Sequence, residues 1–382
     1  MVLMNAGLAA LFIITFAGPH RPPVPAAPAS ADGFTRMFAA KQDQTWSGGD
    51  QTTSFKAPNG RVYWISADTI VSAGVDPDGS YPDSGTTMIS NRLLLQNGGT
   101  LENAVANGGI AVPDPPTRTE ENQDRYWPQG AFVANGHLYL LCQRVTKDPT
   151  PDTFGFKFSG TRLAKFRFGA NGKLTFVKMV ATPSTDIAGG TGAPHLQWAA
   201  DAIEYGRHIY VYGYTHSEPG DPSGHYSYVA RVPKDRVEEP GAWRFYRKSR
   251  RDWVRSMAQL SSARNNPDSI LATQVASVRM IDGKIVIAHK PWQAFGSSVY
   301  AEVGLRPEGP FTRIKLFESP GGTWQGRRYF TYAPMLHPEQ RLAGPEAGKT
   351  LLSINWNGPD FWTDVLSNAK LYKPRFHAVT LP

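Results

Sequence analysis

Short β-rich runs punctuated by turn residues dominate this chain, and no long stretch holds a helical period. The clearest runs are Arg61-Val62-Tyr63-Trp64-Ile65, His137-Leu138-Tyr139-Leu140-Leu141, His208-Ile209-Tyr210-Val211-Tyr212, Lys284-Ile285-Val286-Ile287-Ala288 and Thr350-Leu351-Leu352-Ser353-Ile354. The turns before them carry Asn59-Gly60, Asn135-Gly136, Tyr205-Gly206, Asp282-Gly283 and Ala347-Gly348. The runs begin at positions 61, 137, 208, 284 and 350, so 66 to 76 residues separate neighbours. A regular period of β hairpins marks a propeller, each period one blade. The pattern therefore predicts an all-β, five-bladed β-propeller over residues 32–382. A sandwich with accidental spacing is the competing architecture.

Composition fits this picture. The 382 residues hold 37 Gly and 31 Pro with only 19% charged residues, which suits many short strands joined by turns. The net charge of +8 is scattered, and the one dense run, Arg247-Lys248-Ser249-Arg250-Arg251, reads as a solvated loop face. No nucleic-acid partner is expected. Cys142 lies in an apolar strand and reads as a buried, inert thiol.

The N-terminus bears on location. Ala6 to Ala17 is an apolar run of 12 residues, too short to span a bilayer but the length of a signal-peptide core. A Pro-rich stretch and Ala29-Ser30-Ala31 follow, an A-x-A-like cleavage signal, although no Lys or Arg precedes the apolar run. Residues 1–31 are therefore expected to be signal peptide and linker. The mature protein is expected to be secreted or held in the cell envelope, with no stable membrane insertion.

The candidate chemistry is concentrated in one hairpin. Trp46-Ser47-Gly48-Gly49-Asp50 leads into a strand, Pro58-Asn59-Gly60 turns it, and the return strand ends Ser66-Ala67-Asp68-Thr69. A three-residue loop with glycine in the left-handed position sets Asp50 across from Asp68. Two facing carboxylates repel, so one keeps its proton while the other stays ionised, the division of labour in a glycosidase pair. Asp68 is taken as the acid and Asp50 as the base. By the repeat, Tyr126, Gln197, Thr273 and Tyr332 are equivalent to Asp50. Arg144, Thr215, Lys290 or Pro291, and Asn357 are equivalent to Asp68. This polar and aromatic ring suits a sugar.

Arg125, Tyr126, Trp127, Gln197, Trp198, Tyr332, His337, Asn355 and Asn357 are thus candidate substrate contacts, with Trp127 also readable as core and His337 as a structural histidine. Asp76-Pro77-Asp78-Gly79-Ser80-Tyr81-Pro82-Asp83 lacks the later Glu of a calcium loop, and Gly189-Gly190-Thr191-Gly192 precedes no helix. No nucleophile elbow, P-loop or zinc motif is present, so no cofactor or metal is expected.

The opening segment, Trp46 to Asp50 and Pro58-Asn59-Gly60-Arg61-Val62-Tyr63-Trp64-Ile65-Ser66-Ala67-Asp68-Thr69, resembles that of the family of domain of unknown function 4185. That family includes the endo-D-arabinanases of glycoside hydrolase family 183. Shorter matching pieces are Ser90-Asn91, Tyr126-Trp127-Pro128, Gln197-Trp198, Val229-Ala230-Arg231-Val232-Pro233, Gly309-Pro310-Phe311 and Ser353-Ile354-Asn355-Trp356-Asn357.

The resemblance implies a five-bladed propeller and cleavage of internal α-D-arabinofuranosyl bonds in the D-arabinan of arabinogalactan and lipoarabinomannan. It places the catalytic aspartates on Asp50 and Asp68 and adds Asn91 to the substrate contacts. Gln51 and Ser66-Ala67 depart from the family's usual Gly and Phe-Gly. An inverting reaction on a polysaccharide is expected. A non-catalytic carbohydrate-binding propeller, or a propeller glycosidase acting on another glycan, fits the same residues.

Overall fold

A computed structural model describes residues 25–106, 108–148, 155–185, 196–215, 225–261, 266–291, 296–324 and 326–382. The fold is all-β, with a single α-helix of ten residues among the described residues. Five sheets follow one another along the chain, each antiparallel and in meander order. Sheet 1 holds Thr53–Lys56, Val62–Ser66, Arg92–Asn97 and Thr100–Asn103; sheet 2 holds Arg125–Ala134, His137–Lys147, Phe156–Phe168 and Leu174–Ala181. Sheet 3 runs Leu196–Tyr205, His208–Thr215, Ser227–Pro233, Arg244–Arg247 and Asp252–Val254. Sheet 4 holds Ser277–Ile281, Lys284–His289, Ser298–Gly304 and Thr312–Glu318; sheet 5 holds Gly322–Trp324, Arg327–His337, Thr350–Asn357 and Arg375–Val379. A small sixth sheet joins Gly48–Gly49, Thr69–Val71 and Thr87–Ile89.

Four of the expected hairpin turns form because their glycines take left-handed backbone: Gly60, Gly136, Gly206 and Gly283 have φ of 80°, 73°, 60° and 75°, whereas Gly348, at 78°, ends the longer connection from His337 to Thr350. One strand of each sheet faces its neighbours' equivalents. Leu196–Tyr205 touches Arg125–Ala134 and Ser277–Ile281; Arg327–His337 touches Ser277–Ile281 and Thr53–Lys56; Thr53–Lys56 also touches Arg125–Ala134. Each of these inner strands thus has one inner neighbour on either side. Three of them are bulged, between Pro128 and Gly130, Gln197 and Asp201, and Tyr332 and Met335. In the sheet 1 segment the corresponding irregularity is Gln51, at φ 53°.

The helix, Ala31–Ala40, closes one side. Ser30 caps it by accepting the Gly33 N–H, and Phe34, Met37 and Phe38 bury one face against Trp46, Trp64 and Phe376. Lys373 donates from Nζ to the carbonyls of Ala39 and Lys41 at its far end. The residues before it are tied to the body: the Gly99 N–H donates to Pro25 O and the Ala343 N–H to Ala29 O. The expected cleavage point after Ala31 therefore lies at the start of a packed helix, and the apolar run Ala6–Ala17 lies outside the described residues. Among the described residues no helix is long and apolar enough to cross a membrane.

Candidate active site

The hairpin brings its two aspartates together. Thr53 pairs with Ile65 and Lys56 with Val62, while in the small sheet Gly49 pairs with Thr69. The two ladders share one register, so Asp50 falls opposite Asp68. The Asp50 N–H donates to Asp68 O at 2.8 Å and the Ala67 N–H to Asp50 O at 2.9 Å. Gly49 is required here, because a Cβ would lie 2.7 Å from the Trp46 indole nitrogen and 2.8 Å from Ser66 Oγ.

Arg125 and Trp127 come to Asp68 from sheet 2. The Trp127 indole N–H donates to Asp68 Oδ1 at 2.7 Å, and the Arg125 guanidinium stands 3.4 Å from Oδ2 and stacks 5.3 Å over the Trp127 ring. Strand alternation explains the choice. Arg125 and Trp127 share one face; Tyr126 takes the other and packs in the core with Leu138, Leu140 and Phe166.

The environments of the two carboxyls differ. Burial pushes Asp50 up to about 7, with the Asp68 charge adding to the rise and Tyr332 and the Gln51 amide opposing it. Asp50 Oδ1 is buried and finds no hydrogen-bond donor among the described residues. Burial also raises Asp68, to about 6, but Arg125 and the Trp127 N–H favour its ionised form. Tyr372, which the sequence reading missed, lies on the same side: its carbonyl accepts the Gly49 N–H at 2.8 Å, and its buried phenol feels Asp50, Tyr332, Asp68 and Arg125. Asn357 neighbours Tyr332 and accepts the Gly358 N–H at 2.8 Å.

The remaining candidates lie elsewhere. Trp198 is fully buried in the core with Trp243 and Phe245, its N–H directed at Met257 sulfur at 3.1 Å. His337 is fully buried between Ser54 and Ser353, packs on Trp64 and Phe376, and is held neutral by burial. Asn91 is a clamp. Its Nδ2 donates to Val112 O and Tyr126 O, and its Oδ1 accepts the N–H groups of Ala111 and Val112. These three, with Tyr126, are structural and are withdrawn as substrate contacts. Gln197 is buried beside its bulge with Oε1 unpaired among the described residues. Asn355 grips main chain instead of facing outward.

Cys142 is buried and its thiol is pushed up by burial. In the Asp76–Asp83 segment, Asp78 accepts from the Ser80 N–H and hydroxyl, a local turn. Gly189-Gly190-Thr191-Gly192 lies outside the described residues. Among the described residues no three His, Cys, Asp or Glu side chains gather to hold a metal.

The fold is shared with a "putative hydrolase" from Bacteroides ovatus, 18% identical, covering 91% of this chain and 88% of that one with a TM-score of 0.70. A GH43_1 enzyme from Xanthomonas citri is 14% identical over 93% of this chain and 94% of its own, with a TM-score of 0.48. A glycoside hydrolase family 43 arabinoxylan arabinofuranohydrolase from Bacillus subtilis is 12% identical, covering 88% and 64%, at 0.47. No curated protein matches the chain. The resemblance to domain of unknown function 4185 and the family 183 arabinanases is overturned, because a different family model matches residues 32–380. The chain belongs to that family, Domain of unknown function (DUF5005).

Proposed function

We propose that this protein is a glycoside hydrolase on a five-bladed β-propeller, with Asp50 and Asp68 as its acid–base pair. One observation carries the reading: two aspartates share a backbone pair, and only Asp68 has a cation and an indole N–H to hold it ionised. Asp50, with a buried unpartnered oxygen, keeps its proton near neutral pH and protonates the leaving oxygen. Asp68 activates a water, and the bond is cleaved with inversion. These roles reverse those taken from the sequence. The five sheets, their circuit of inner strands and the fold shared with a "putative hydrolase" support the propeller and the reaction class.

The substrate is a polysaccharide met outside the cell or in its envelope, consistent with the apolar N-terminal run. D-arabinan was expected through the overturned resemblance and now stands as one arm of a panel with L-arabinan, xylan and arabinogalactan. Chromatography of the products reads turnover, and the anomer first released reads inversion. Asp50→Asn and Asp68→Asn are each expected to lower turnover at least ~10³-fold. Activity is expected to peak between about 6 and 7, where Asp68 is ionised and Asp50 protonated. Wild-type product release by both variants would sink the pair.

A further inference from the structure

We propose that Asn355 is a positioning residue for Asp50: its side-chain amide grips the main chain on both sides of the aspartate. Asn355 lies in sheet 5 and is fully buried. Its Nδ2 donates to Gly49 O at 3.1 Å and its Oδ1 accepts the Thr52 N–H at 3.2 Å. Between those two contacts lie Asp50 and the left-handed Gln51.

The arrangement has a physical cause. Here the chain leaves the small sheet after Gly49 and enters sheet 1 at Thr53, so Gly49 O and the Thr52 N–H fall between two ladders. Buried main-chain groups need partners. A primary amide supplies one donor and one acceptor, as a peptide unit does. Asn355 therefore replaces the missing ladder partner and fixes a strained turn that a non-glycine residue rarely adopts. It also pairs across sheet 5 with Tyr332, so one register position ties Tyr332 and Asp50 together. Tyr372 O completes the hold by accepting the Gly49 N–H.

Asp68, Tyr332 and Tyr372 are the titratable groups facing Asp50. Truncating Asn355 changes none of them, so any change at Asp50 reports geometry. The catalytic meaning of the clamp rests on the hydrolase reading; the clamp itself does not.

The test is carboxyl NMR titration of protein labelled at aspartate, with Asp50 assigned by the Asp50→Asn spectrum. In Asn355→Ala the Asp50 midpoint is expected to fall by at least about one pH unit, as the loosened turn admits water. Turnover is expected to drop about tenfold or more with KM within about threefold. If Asn355→Ala does not fold, Asn355→Ser, which keeps a short polar side chain, is measured the same way. A folded variant with a wild-type Asp50 midpoint overturns the proposal. If instead Asp50→Asn keeps full turnover, the assignment of Asp50 as the acid fails while the titration still decides the clamp.

Discussion

Two aspartates with buried carboxyl oxygens have opposite surroundings. Asp201, past the sheet 3 bulge, is saturated. Its Oδ1 accepts the Ala202 N–H, and its Oδ2 accepts the Val278 N–H at 2.7 Å and the Arg279 guanidinium. Arg279 reaches on to Ser54 O in sheet 1, and Gly130 of sheet 2 closes so tightly that a Cβ would sit 2.6 Å from Asp201 Oδ1. Asp50, just before the left-handed Gln51 that leads into sheet 1, has an oxygen with no donor among the described residues. Burial alone therefore does not mark a functional carboxylate; the inventory of partners does. A saturated carboxylate crosslinks sheets, and an unsaturated one holds a proton available for chemistry.

The largest effect that separates the two belongs to Arg279→Met. It strands the Asp201 charge in the interior, and breaking a buried pair from one side costs about 3–5 kcal/mol. Urea denaturation at pH 7 should show that loss. Asp50→Asn should show none, and equal destabilisation by the two substitutions would erase the distinction between the two aspartates.

Asp50→Asn should instead stabilise at alkaline pH. The folded-state value of Asp50 is raised from 3.8 to about 7, so between these limits the folded protein keeps a proton that the unfolded chain releases. Its contribution is free of penalty below pH 4, is lost as pH rises toward about 7, and stays lost above. Some three units correspond to at most about 4 kcal/mol. The variant should therefore match wild type in urea at pH 4 and exceed it at pH 8. A wild-type curve equally stable at both values would place the proton elsewhere.

A smaller effect probes the Asp68 side. Trp127→Phe keeps the ring and removes the N–H that lies 2.7 Å from Asp68 Oδ1. A hydrogen bond to a charged group contributes about 1.5–3 kcal/mol, so Asp68 should titrate about one unit or more higher. The acidic limb of the pH–rate profile should move up accordingly, while the alkaline limb, set by Asp50, stays. Movement of both limbs together would mean that Trp127 supports the pair as a whole.

How much of this was legible in the sequence follows from what is local. The hairpin register was readable because a short loop with Gly60 fixes it, and Asp50 does meet Asp68. Arg125 was legible by its place at a strand start. Trp198 misled because the first eight residues of Leu196–Tyr205 are buried on both faces, so alternation there does not separate core from site. His337 misled because the bulge between Tyr332 and Met335 shifts the register by one residue and so reverses the face count ahead of it. Asn355 and Tyr372 reach the Asp50 segment from the far end of the chain, and no local pattern announces that contact. Gln51 was visible only as a departure from an expected Gly; its φ of 53° gives the physical reason glycine suits that position.

Gly60→Ala provides the finest cut, because it tests whether the hairpin turn or the distant clamp sets the pair. Gly60 has φ 80° and nothing within 4 Å of where a Cβ would sit, so the substitution meets backbone strain and no clash. An L residue held in the left-handed region costs roughly 1–2 kcal/mol, which urea denaturation resolves. The register, however, is also pinned by the Gly49–Thr69 pair and by Asn355 at the other end of the strand. The pH–rate profile of Gly60→Ala should therefore superimpose on wild type while its stability falls. A displaced alkaline limb would show that the turn transmits to Asp50 along the length of the hairpin, and that the grip from sheet 5 is too weak to hold the aspartate alone.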